Sequence, residues 1–126
     1  MKRYVAALFV LVMISGFAFG AGQQGTAKDH IAYWASSVKM DAMMYRMQLE
    51  AGKPLEAGDA KIAGERKLED GFKDAVAKSR GASDLTQAVK GFYVAAAAFF
   101  REGTRKTKSD MDTAADKLDM ELSLAK

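Results

Sequence analysis

The chain has 126 residues, 49% of them apolar, with 19 Lys+Arg against 16 Asp+Glu and no Cys. That length suits one domain, and the missing Cys excludes disulfide-stapled inhibitor and toxin scaffolds, thiol catalysis, and haem attachment through Cys-x-x-Cys-His. A net charge of +3, with no concentrated basic face and no set of stacking aromatics, argues against a nucleic-acid partner.

The first segment reads as an address. Lys2 and Arg3 precede an apolar run from Tyr4 to Phe19, and Ala18-Phe19-Gly20 places small residues at the −3 and −1 positions. This three-part pattern predicts a secretory signal peptide over residues 1–20, cut after Gly20. A retained anchor is the poorer reading, because the run is at the short edge of the ~17–25 residues that span a bilayer. Lys2 and Arg3 leave with the leader and no acid does, so 19 against 16 becomes 17 against 16. The mature chain is almost neutral, and the pI of 9.1 overstates its basicity. Residues 21–126 are expected to form a single periplasmic or secreted domain with no membrane span.

Ala, Met, Leu, Lys, Glu and Asp dominate the mature chain, and Pro54 is its single proline. This is helix-forming composition. The first predicted helix covers 27–51, with the seam Ile31, Ala35, Val38, Ala42, Tyr45 and Leu49, and Trp34 beside it. It stops at "EAGKPLEAGD", where Gly52 suits the C-terminal turn and Pro54 cannot continue the helix. The second, 59–80, has the weakest stripe (Leu68, Phe72, Ala75 and Val76), diluted by Gly64 and Gly71. Each internal glycine costs ~1 kcal/mol relative to Ala, which makes this the least stable helix by propensity.

The third, 84–102, has the clearest seam: Leu85, Val89, Phe92, Ala96 and Phe99. Asp84 and Gln87 fit a capping box, and Gly103 fits the C-cap. Its far side is small or apolar too (Gly91, Val94, Ala97 and Ala98), so enclosure on most sides is expected. The fourth, 109–125, carries Met111, Ala115, Leu118, Leu122 and Ala125. Thr104 and Thr107 would extend that seam backwards, but Arg105, Lys106 and Lys108 would then meet the positive end of the helix dipole. Ser109 with Asp110 and Asp112 is the better cap on that argument, leaving 103–108 as a connector. The fold class is all-α, an up-down antiparallel four-helix bundle.

"MDAMMYRMQLE", residues 40–50, raises the functional question. At 100° per residue, Met40, Met43, Met44 and Met47 centre roughly 170° from the seam, with Tyr33 among them. Lys39, Arg46 and Glu50 fill one intervening strip, and Asp41 and Gln48 the other. A bundle helix needs one apolar face; this one has two. Four Met side chains left in water would forgo ~1.5–3 kcal/mol of burial each. Three covers compete for them. An apolar stripe at helical spacing is usually core, which favours cover from within the chain. Met is unbranched and polarizable, which suits a protein partner or self-association. Exported proteins also use thioethers for Cu(I), and M-x-x-M-M-x-x-M brings several sulfurs within reach of one ion, although no His accompanies them.

Other candidates are weaker. His30, the single histidine, follows Asp29 near the start of the first helix, where a solvated helix-end role is the simplest reading. A Ser-His-Asp arrangement needs a more ordered base, and a di-metal bundle needs Glu where Ala27 stands. Asp112, Asp116 and Asp119 share one face but lack the Gly and terminal Glu of a calcium loop. Arg101, Arg105, Lys106 and Lys108 cluster at the third turn, suited either to the end of the third helix or to an anionic or acidic partner. No cofactor is implied and no enzymatic constellation is visible. The sequence reads as an exported, non-enzymatic helical protein of inhibitor, immunity or envelope-chaperone type. Its expected contact surface is Tyr33, Met40, Met43, Met44 and Met47; the alternative is a Cu(I) protein using the four methionines.

Overall fold

A computed structural model describes residues 26–125, and the expected leader lies outside the described residues. Among the described residues four helices follow one another: α1 (Ala27–Glu50), α2 (Pro54–Lys78), α3 (Ser83–Glu102) and α4 (Arg105–Leu124). They form an all-α, antiparallel four-helix bundle with the closest packing between α1 and α2 and between α3 and α4. Among the described residues no helix is long and apolar enough to cross a membrane.

The seams are where the spacing placed them. Ile31, Ala35, Val38, Ala42 and Tyr45 of α1 meet Leu85, Val89, Phe92, Ala96 and Phe99 of α3 and Met111, Ala115, Leu118 and Leu122 of α4 in one buried cluster. Leu49 is the exception, exposed at the end of α1. Two aromatic groups organise this core. Trp34 sits edge-on to Phe92 at 5.4 Å, and Phe72 stacks on Tyr93 at 4.0 Å. One group of turns away, Tyr45 packs edge-on to Phe99 at 5.4 Å and beside Phe100 at 6.1 Å.

The glycines that weaken α2 on paper are the seats for these rings. A Cβ built on Gly64 would lie 2.6 Å from Cε1 of Phe100, and one on Gly71 would lie 2.8 Å from Nε1 of Trp34. With no side chain in the way, each ring lies against the α2 backbone. Trp34 Nε1 then donates to the carbonyl oxygens of Lys67 and Leu68 at 3.1 and 3.3 Å. The ~1 kcal/mol propensity cost of each glycine is offset by the burial of a large aromatic, a term of roughly 1.5–3 kcal/mol.

Two expected boundaries and one expected cap are corrected. First, α2 begins at Pro54, not near 59. Proline's missing N–H is no loss at the first helical position, and Ala57, buried at the start of α2, anchors the extra turn. Second, α4 begins at Arg105, not near 109. Thr104 Oγ1 accepts from the N–H of Thr107, and Thr107 Oγ1 accepts from the N–H of Thr104, both at 3.1 Å. Such a cap contributes ~0.5–2 kcal/mol, against ~0.3–1 kcal/mol for the dipole penalty on the basic residues. Lys106 and Lys108 are also paired one turn on with Asp110 and Asp112, and Thr107 is buried. Third, the capping box expected from Asp84 and Gln87 does not form; Ala82 is the N-cap of α3 with no side-chain bond. The turn is held instead by buried Ser79, whose hydroxyl donates to Val76 O at 2.8 Å and lies 2.7 Å from the Thr86 hydroxyl. Gly52 and Gly103, with φ of +74° and +65°, end α1 and α3 as expected.

Candidate functional site

The methionine surface begins with the straight run of α1. The helix is uninterrupted from Ala27 to Glu50, opened by Thr26, whose side chain accepts from Asp29 N while Asp29 accepts from Thr26 N. The stripe therefore keeps its register along the whole segment. Met43 and Met47 are 50% and 53% exposed, Tyr33 is exposed, and Met40 and Met44 are half-buried. None of the four methionines belongs to the buried cluster. The single-chain cover that stripe statistics favour is thus partial at Met40 and Met44 and slight at Met43 and Met47.

The strips between the two faces of α1 hold the helix in place. Arg46 donates from Nη1 to Gly103 O at 2.9 Å, and its Nε lies 3.1 Å from Glu50 Oε2. That clamps the C-terminal end of α1 to the turn between α3 and α4, where Tyr45 also approaches Gly103 closely. On the other strip, Asp41 Oδ2 lies 2.9 Å from Lys67 Nζ of α2. The contact is ionic: this buried oxygen has no hydrogen bond of good angle. The methionine face is consequently presented on a helix fixed along both flanks, with little freedom to roll its thioethers inward.

The basic cluster is largely self-neutralised. Arg101 lies 3.6 Å from Glu102, Lys106 lies 3.1 Å from Asp110, and Lys108 lies 2.9 Å from Asp112. Among the described residues Arg105 alone of the four has no ionic partner. Exposed pairs of this kind contribute ~0–1 kcal/mol and leave little net field to hold an anion. Asp112 is used by Lys108, and Asp116 and Asp119 are exposed on α4. His30 is exposed and borders a cleft of about 390 Å³ between α1 and α2 with Tyr33, Trp34, Ser37 and Asp70. Gly71, whose Cα side is covered by the Trp34 ring, also borders that cleft. Among the described residues no group of three or more His, Cys, Asp or Glu side chains is arranged to hold a metal ion.

One surface was not singled out from the sequence. The outer side of α3 was expected to be enclosed, yet Gln87, Gly91 and Val94 are exposed and Ala98 is half-buried. With Lys90, Ala95 and Asp110 they line a shallow groove of about 510 Å³. The signal was present in the small and apolar residues there, but periodicity alone does not say whether a second chain segment exists to cover them.

No family model, no curated protein and no solved structure matches this chain.

Proposed function

We propose that this is an exported, non-enzymatic protein of the periplasm or extracellular space that acts by protein–protein contact, as an inhibitor, immunity factor or envelope chaperone does. The contact surface is the outer face of α1: Tyr33, Met40, Met43, Met44 and Met47. The observation that carries this reading is that α1 has a seam buried from Ile31 to Tyr45 on one side and half-exposed Met43 and Met47 on the other. Covering them by a partner recovers burial the fold itself leaves unused. Methionine adds adaptability, since its unbranched chain repacks around differently shaped partners.

The test is affinity capture from the native envelope with the wild-type protein and with Met43→Asp/Met47→Asp. Both substitutions are at exposed positions, so the fold is expected to survive, as circular dichroism would report. A partner captured by the wild type and lost with the double variant is the expected result. Equal capture by both proteins would move the contact surface elsewhere.

A second reading rests on spacing. Met43 and Met47 are one turn apart on the same side of α1 with both side chains open to solvent, a geometry in which two thioethers converge on a soft ion. Anaerobic Cu(I) titration would then show stoichiometric uptake that disappears when all four methionines become Leu. Uptake unaffected by that replacement rejects it.

A further inference from the structure

The outer face of α3 carries a pattern that the methionine face does not. Asp84, Gln87, Gly91, Val94, Ala98 and Arg101 follow one another at intervals of three, four, three, four and three residues, all on the side of α3 opposite Leu85, Val89, Phe92 and Phe99. Those intervals read the same in both directions. A second copy of α3 laid antiparallel along this line sets Asp84 opposite Arg101, Gln87 opposite Ala98, and Gly91 opposite Val94, and the two-fold axis repeats each pair. We propose that this face is the interface of a symmetric homodimer, α3 against α3 in antiparallel orientation.

Shape and charge both support that occupant. Val94 is 65% exposed, and a Cβ on Gly91 would meet nothing within 4 Å. In the antiparallel register the valine of each copy enters the gap at the glycine of the other, a knob in a hole. Gly91 and Ala98 let the two backbones approach closely. At the ends, Asp84 has no ionic partner among the described residues, and Arg101 has only an exposed contact of 3.6 Å with its neighbour Glu102. Both are therefore available to pair across the axis. Lys90, on the flank, comes opposite the uncharged Ala95, so no like charge stands directly across from it. A parallel arrangement would instead set Asp84 against Asp84 and Arg101 against Arg101, and like charges directly opposed are unfavourable. The charges thus select the orientation as well as the partner, and an isologous patch of this kind closes into a dimer.

Sedimentation equilibrium on the protein recovered from the compartment to which it is delivered tests this directly. The expected result is a reversible dimer. Val94→Glu should weaken association about tenfold or more while helicity stays unchanged, because the position is open in the single chain. Arg101→Asp and Asp84→Arg should each weaken it about tenfold by placing two like-charged pairs across the axis. The combined Asp84→Arg/Arg101→Asp protein should recover to within about threefold of wild type, since the swap restores both pairs in this register alone. A monomer at every concentration, a dimer indifferent to Val94→Glu, or a double variant as weak as its parents would overturn the proposal. Because Met43 and Met47 are on a different helix, their replacement should leave this equilibrium unmoved.

Discussion

The two sides of α1 are made of the same kind of residue and live in different environments. On one side Ile31, Val38 and Ala42 are fully excluded from water; on the other Met43 and Met47 keep about half of their surface in it. Hydropathy alone does not separate them. What separates them is geometry: the inner side is opposed by Phe92, Phe99 and Phe100 of α3, while among the described residues no helix covers Met43 and Met47 on the outer side. An apolar face is core only where another element supplies the opposing wall.

The strongest way to sharpen that contrast is to cut one residue from each side. Phe92→Ala removes a fully buried ring and should cost about 3–5 kcal/mol in chemical denaturation. Met43→Ala should stay within about 0.5 kcal/mol of wild type. A large loss at Met43 would mean that its side is stabilising the single chain after all.

The glycines of α2 offer a second cut. Gly64→Ala gains about 1 kcal/mol of helix propensity but drives a methyl into the Phe100 ring, and overpacking of about 1–3 kcal/mol should leave it net destabilised. At Gly58, where nothing lies within 4 Å, the same change should stabilise by about 0.5–1 kcal/mol. Thermal midpoints moving in opposite directions are the expected outcome; a shift of the same sign at both sites would remove the role assigned to the ring seat. Thr104→Ala should cost about 1 kcal/mol by opening the reciprocal cap of α4, and helicity loss should be confined to its first turn in hydrogen exchange.

The smallest effect is a pH dependence. Tyr93 of α3 donates its hydroxyl hydrogen to Glu69 Oε2 of α2 at 2.6 Å. That bond first, then burial and the nearby negative charge, hold the phenol above its ordinary value of 10.0. The folded state therefore binds the proton more tightly than the unfolded one. Its contribution is fully present below about pH 10 and is lost as pH rises through the folded value. Tyr93→Phe should flatten that alkaline decline slightly; an unchanged slope would assign it to other groups.

The helical seams were legible from spacing because burial in a bundle repeats every three or four residues, and Met111, Leu118 and Leu122 took the interior on that basis. Gly52 and Gly103 were legible because positive φ favours glycine wherever it occurs. The start of α4 was not, since a competition between a cap and a dipole is decided by ion pairs and by the burial of Thr107. The reason for Gly64 and Gly71 was not legible either. Their value lies in rings more than thirty residues away in the chain, which no local window contains. Of the candidate site, the sequence located the methionine stripe on its own face of α1, but not how much of each side chain the neighbouring helices cover.

By itself, the amino-acid order determined which residues share a helical face, because that depends only on a fixed rotation per residue. Which apolar faces find a wall, which glycines receive an aromatic ring, and which charges are spent within the chain were decided by tertiary structure. Those outcomes depend on distances between segments far apart in sequence, and no rule of local spacing carries that information.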